Sequence, residues 1–285
     1  MIRSGLKEHL DRLVADYDHR FLATDPLVLV RGYEDPSDQE VAGLVASSLA
    51  YGNVRAIQES VSEALSRLGE FPAAVLDGLS SRDLLRRCRG FRHRFTSGRD
   101  LAALLWTARE MRRSHGSVGA FFEAGCRPGA ATVREALISF VRRALDRDLS
   151  GFYRRRMGSG EGIRFLLPSP EDGSACKRLN LYLRWMVRRD DGLDLGIWRG
   201  IRPSQLLIPV DTHVARISAH IGLTRRRSPG WEMVEEITAS LRALDPGDPV
   251  RYDFALSRLG ILEECPSRRS PVRCARCPLR RVCRL

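Results

Sequence analysis

Lysine is nearly absent from this chain. Of its 47 basic residues only Lys7 and Lys177 are lysines, and every other cation is an arginine. Where positive charge alone is wanted arginine serves, as it does at Arg178 beside Lys177. An ammonium differs from a guanidinium because its pKa can be lowered until the amine is a nucleophile. Lys177 is therefore either a solvated surface lysine or a residue kept for its amine.

Other shortages narrow the class. No run of about 18 apolar residues occurs, which excludes a helical membrane span. The start, "MIRSGLKEHLDRLVADYD", reads as an amphipathic helix without the apolar segment of a secretion signal, so a cytoplasmic protein is expected, nucleoid-associated if bacterial. Alternating strand-like stretches are scarce, with "QLLIPV" (205–210) the one short candidate. There is no internal repeat and no low-complexity tract. The seven cysteines are an odd number, and Cys88, Cys126 and Cys176 are scattered as plain small hydrophobes.

What is present is ordinary apolar content, 43%, in 285 residues carrying a net charge of +12. That length supports one large or two modest domains. Such a surface attracts polyanions, and nucleic acid is the expected partner. The basic stretches "FYRRRMGSGEGIRF" (152–165), "CKRLNLYLRWMVRR" (176–189) and "LTRRRSPG" (223–230) carry the excess, the first two with aromatics interleaved.

Helical periodicity dominates. "DPSDQEVAGLVASSLAYG" predicts a helix opened by a capping box of Ser37 and Glu40. "SGRDLAALLWTAREMRRSHG" repeats the pattern with Ser97 and Asp100, and "ATVREALISFVRRALDR" and "PGWEMVEEITASLRAL" are further amphipathic helices. "MGSGEGIRFLLPSPEDGS" (157–174) reads as a loop. The fold class is all-α. On the helix from Lys177, Leu179, Tyr182, Leu183 and Met186 share one side; Lys177, Leu181, Arg184 and Arg188 fall opposite, a basic face.

Two motifs carry chemistry. Cys265, Cys274, Cys277 and Cys283 form C-x8-C-x2-C-x5-C, a spacing that can surround one metal centre, either a [4Fe–4S] cluster or tetrahedral zinc. Arg276, Arg280 and Arg281 sit among these ligands, presenting cations to a phosphate backbone. In "LLIPVDTHVARISAHIGL", Asp211 precedes a helix whose apolar side is Val214, Ile217, Ser218 and Ile221. It reads as an N-cap, as half of an Asp-x-His metal pair with His213, or as a carboxylate that also faces a cleft.

"IPVDTHVARISAHIGL", followed by the four-cysteine loop, resembles the endonuclease III branch of the helix-hairpin-helix DNA glycosylases. "VAGLVASSLAYGNVRAIQ" is similar to that family's early barrel helix, and "GSACKRLNLYLRWM" sits where the family carries its nucleophilic lysine. The chain departs from the pattern in its x8 cysteine gap, in lacking the Leu-Pro-Gly-x-Gly hairpin, and in the 34 positions between Lys177 and Asp211. A long lysine–aspartate gap also occurs in archaeal 8-oxoguanine glycosylases; in overall pattern the chain is most similar to an uncharacterised bacterial family related to these enzymes. The resemblance implies a two-lobed helical fold, with a barrel over 25–195 and a second lobe of 1–24 plus 196–285. It implies a monomer that excises a damaged, oxidised base from double-stranded DNA, with lyase activity at the abasic site. Lys177 would be the Schiff-base nucleophile, its pKa lowered by Arg178, Arg184 and Arg188, and Asp211 the catalytic carboxylate. Tyr51, Gly52 and Asn53 would enter the duplex beside a flipped base. The expected DNA contacts are Tyr51, Asn53, Arg178, Arg184, Arg188, His213, Arg276, Arg280 and Arg281. Three readings compete with this one: a non-catalytic nucleic-acid-binding metalloprotein, a monofunctional glycosylase using Asp211-activated water, and an RNA-directed enzyme.

Overall fold

The computed structural model describes residues 5–154, 158 and 161–285, so the expectations for residues 1–4 and for Arg155 and Arg156 lie outside the described residues. The chain is mostly helical. Six helices lead: α1 (Leu6–Asp16), α2 (Leu27–Val30), α3 (Pro36–Ser48), α4 (Val54–Ser66), α5 (Pro72–Gly78) and α6 (Ser81–Arg87). A two-residue-per-strand hairpin follows, β1 (Arg92–His93) paired antiparallel with β2 (Thr96–Ser97). Then come α7 (Gly98–His115), α8 (Val118–Glu123), α9 (Arg134–Leu145), α10 (Gly162–Leu166) and α11 (Lys177–Val187). The last four are α12 (Thr212–Ile221), α13 (Trp231–Arg242), α14 (Asp253–Ile261) and α15 (Pro271–Arg276). Among the described residues no helix is long and apolar enough to cross a membrane.

Three local expectations change. Gln205 closes a 3₁₀ turn (Pro203–Gln205) and 206–210 form no strand; among the described residues the strands are those of the hairpin. The 157–174 loop contains α10 and a short 3₁₀ turn, Pro170–Asp172. The Ser37–Glu40 capping box does not form. Asp35 caps α3 instead, accepting from Ser37 N at 2.7 Å, with Pro36 at the first helical position. Glu40 points inward and accepts from Val118 N (2.9 Å), Gly119 N (3.1 Å) and Trp198 Nε1 (2.7 Å), so it serves the start of α8 rather than its own helix. The Ser97–Asp100 box does form.

One continuous apolar cluster runs from Leu6 to Val282, and α11 lies deep within it, buried on every side from Leu179 to Val187. It packs on α3, where Gly43 is required: a Cβ there would lie 2.6 Å from Met186 Cε and 3.2 Å from Tyr182 Cε2. Close seating of α3 on α11 brings the carbonyl end of α3 to the first turn of α11. Helices α1 and α12 both pack on α14. At Gly260 a Cβ would meet His213 Cβ at 2.5 Å, so α14 and the start of α12 touch backbone to side chain.

Burying α11 overturns the basic face expected for it. Arg184 and Arg188 are 1% and 8% exposed and spend their charge internally. Arg184 pairs with Asp194 (3.1 Å) and with Asp253. Arg188 pairs with Asp194 (2.5 Å), Asp248 (2.8 Å) and Asp191 (3.0 Å). Neither guanidinium is free to meet a phosphate. The acids that neutralise them come from other parts of the chain, which a helical projection of one segment does not show.

Candidate active site

A cavity of about 920 Å³ opens where the end of α3, the start of α11, the start of α12 and one side of α14 converge. Lys177 is the first residue of α11. The residue before it, Cys176, holds a left-handed backbone (φ 45°) without being glycine, a conformation that costs of order 1 kcal/mol and is kept only where packing enforces it. Its thiol is buried against the carbonyls of Pro168 (3.3 Å) and Ser174 (3.4 Å). The kink aims Lys177 into the cavity, where Nζ donates to Ala50 O at 3.0 Å. Burial draws the Lys177 pKa below the ordinary lysine value, and Arg178 lowers it further; Asp211, Asp25 and Asp253 act in the opposite sense. The amine is thus a titratable group in a walled site, with carboxylates around it.

Asp211 lines the same cavity and caps α12, both bonds falling on one oxygen: Oδ1 accepts from His213 N (2.9 Å) and Val214 N (2.8 Å). Oδ2 has no hydrogen bond among the described residues. The N-cap reading and the cleft reading are therefore both satisfied by one side chain. The two roles separate by substitution. Asp211→Ala should cost about 1 kcal/mol of stability, while Asp211→Asn, an equally good cap, should leave stability nearly unchanged; a urea titration of both variants checks this. Val214, Ile217, Ser218 and Ile221 are buried, as the spacing predicts. His213 lines the cavity, and among the described residues no third His, Cys, Asp or Glu completes a metal set with it and Asp211; its Nδ1 is buried without a hydrogen bond among the described residues.

Three cavity residues escape the sequence reading. Asp25 is 3% exposed, accepts from Leu27 N at 3.0 Å and faces Arg258 at 3.4 Å. Arg258 is held by Thr24, through the carbonyl (2.6 Å) and Oγ1 (2.8 Å). Asp253 is 2% exposed, and burial pushes its pKa up to about 6, with Arg184 and Lys177 opposing the rise and Asp211 adding to it. The signal was available: Asp253 opens the apolar run Phe254, Ala255, Leu256, so a charge occupies a core-facing position.

At the cavity mouth the turn between α3 and α4 carries Tyr51, Gly52 and Asn53. Gly52 and Asn53 are exposed. Asn53 caps α4 through Ala56 N at 2.8 Å. Tyr51 is pinned rather than free: its hydroxyl donates to His93 O (2.8 Å) and meets Thr96 Oγ1 (2.7 Å) of the hairpin, and its ring meets Phe165 edge-on at 5.1 Å. Arg178 also lines the cavity and is likewise held by packing. It lies 4.2 Å over Phe165 and 5.2 Å over Tyr51, donates to Ser48 O at 3.2 Å and to Phe165 O, and burial brings its pKa down to about 10.

The four carboxy-terminal cysteines gather around α15 and are half-buried. Burial raises the pKa of Cys265, to about 11, and that of Cys277, and the neighbouring thiols add to both. Backbone N–H groups point at three of the sulfurs: Ser270 N at Cys274 (3.4 Å), Leu285 N at Cys283 (3.4 Å), and Leu279 N at Cys277. Among the described residues no three His, Cys, Asp or Glu side chains stand close enough to enclose a metal ion, so the sulfurs would have to draw inward to do so. The donor set still suits a thiolate-ligated centre: four sulfurs, mutual repulsion that a cation relieves, and oriented N–H donors. Arg276, Arg280 and Arg281 are exposed on this loop.

Fold and site together define an all-α protein with a lysine–carboxylate cavity between its helices. The chain belongs to the family described as "Protein of unknown function (DUF2400)", whose model matches residues 25–262. The matched stretch contains Asp25, Lys177, Asp211 and Asp253 and ends before Cys265. No curated protein and no solved structure matches the chain.

Proposed function

We propose that the protein is a DNA N-glycosylase with associated lyase activity at the abasic site, acting on a damaged, oxidised base in duplex DNA. The observation that carries this reading is the Lys177 amine, set in the same cavity as Asp211 with its pKa lowered by burial. A flipped nucleotide enters past Gly52 and Asn53. The neutral amine attacks C1′, the glycosidic C–N bond breaks, and its electron pair leaves on the base, which takes up a proton. The amine's surplus proton moves through the free oxygen of Asp211, and that carboxylate also stabilises the positive charge developing on the sugar. Opening of the sugar ring gives a Schiff base on Lys177. Loss of a C2′ proton expels the 3′ phosphate, and water then frees the amine.

The net charge of +12 supports a nucleic-acid substrate, and the cavity volume lies within the range of small-ligand sites. Cys265, Cys274, Cys277 and Cys283 would hold a [4Fe–4S] cluster, with structural zinc the alternative. Once bound, that group would fasten the segment after α14 and so fix the position of Arg276, Arg280 and Arg281. Protein purified without oxygen is expected to be yellow-brown with iron and sulfide in equal amounts, and Cys277→Ser to be colourless. Stoichiometric zinc in a colourless wild type would contradict the cluster.

The test of the activity uses duplexes carrying 8-oxoguanine, thymine glycol, uracil or an abasic site, with borohydride to trap a Schiff base. The reading expects base release and a covalent adduct on at least one base lesion. DNA binding with neither would leave a binding protein. The unpartnered oxygen of Asp211 favours a second reading, in which it activates water; that predicts base release with no adduct.

A further inference from the structure

A second, shallower groove of about 820 Å³ is lined by Arg89, Arg99 and Arg154, together with Phe91, Asp100 and Tyr153. All three arginines are exposed, and among the described residues none has an ion-pair partner. Other surface arginines on the same stretch do, as Arg86 does with Asp83 at 2.6 Å. The one acid in the lining, Asp100, is buried and already bound to Ser97 N (2.9 Å), Ser97 Oγ (2.7 Å) and Tyr153 Oη (2.9 Å). Residues 82–99 hold seven arginines against one acid, Asp83. Three unspent forked cations around one groove suit phosphate oxygens.

The hairpin joins this groove to the cavity mouth. Ser97 lines the groove, while Arg94 lies over Gly52, where a Cβ would be 3.0 Å from its Nη1. Arg94 takes a left-handed backbone (φ 50°) at the hairpin tip without being glycine, and beside it Phe95 is 75% exposed. The left-handed residue is what a two-residue hairpin loop demands, and the turn sets the Phe95 ring out in solvent. Phe95 touches Phe165 edge-on at 6.2 Å, and Arg94 lies 5.8 Å from its centroid, so cation and ring are interleaved as nucleic-acid surfaces require.

We propose that the Arg89–Arg99–Arg154 groove binds the phosphate backbone of the nucleic acid whose nucleotide occupies the cavity, with Phe95 stacking on a base between the two. This rests on the nucleic-acid reading of the cavity. The test measures binding of labelled undamaged duplex and single strand by anisotropy across a salt series. The variants are a triple Arg→Gln at 89, 99 and 154, the triple Arg→Lys at the same positions, and Phe95→Ala, each checked for fold by circular dichroism. The triple Gln variant is expected to bind at least about tenfold more weakly and to lose roughly 0.9 in the log–log salt slope per phosphate contact, with the Lys variant keeping the slope. Phe95→Ala is expected to lose about tenfold on single strands. Wild-type affinity and slope in the triple Gln variant would overturn the proposal. Failure of the glycosylase reading shows separately, as absent base release by a wild type that still binds with the steep slope.

Discussion

Lys177→Met is expected to give a folded protein that binds duplex DNA and traps nothing with borohydride. Its rate of strand cleavage should fall on the order of 10³-fold or more, as for loss of other enzymic nucleophiles. The side chain is a good site for a clean substitution, because Met fills much of the lysine stem and Arg184 and Arg258 still face the carboxylates Asp253 and Asp25. Lys177→Arg should be equally inactive, since a guanidinium does not give up its proton. In the wild type, adduct formation should rise with pH as the ammonium loses its proton. Because burial lowers the folded pKa, the inflection should fall below the ordinary lysine value of 10.5. An inflection at that value would place the reacting amine in solvent, and one above it would mean the surrounding carboxylates outweigh burial.

Arg184→Met is expected to destabilise the protein by about 3–5 kcal/mol, because it leaves buried Asp253 without its ion-pair partner, while Asp194 keeps only Arg188. Asp194 is fully buried and Asp253 is 2% exposed, and Arg184 bridges the two. Chemical denaturation measures the loss. Asp253 also sets a pH dependence. Its pKa of about 6 in the folded protein stands above the ordinary 3.8, so the folded state takes up a proton between those values. That contribution to stability is fully present below the ordinary pKa and is lost as pH rises through 6. Asp253→Asn should flatten the stability profile between pH 4 and 6; an unchanged profile would assign the effect elsewhere.

Much of this was legible in the residues. Periodicity located α7, α9, α12 and α13, although α7 is buried on all sides over residues 100–105, and Ser97 with Asp100 marked its true start. The rarity of lysine singled out Lys177, and the Asp211 segment supplied the other cavity wall. The failures share a cause: partners distant in sequence. Glu40 left its expected local cap for the start of α8 and Trp198, 158 positions away. Arg184 and Arg188 read as a basic face until Asp194, Asp248 and Asp253 folded against them. The hairpin at 92–97 is too short for alternation to register, and it supplies both the anchor for Tyr51 and the exposed Phe95.

The most direct measurement locates the adduct. After borohydride trapping on a lesion duplex, the protein is digested and the modified peptide sequenced by tandem mass spectrometry. Only three amines compete: the chain's amino terminus, Lys7 and Lys177. Lys7 is exposed and paired with Asp11 at 2.6 Å. The account predicts the reduced sugar on Nζ of Lys177 alone. A sugar on Lys7 or on the amino terminus, with Lys177 unmodified, would contradict it.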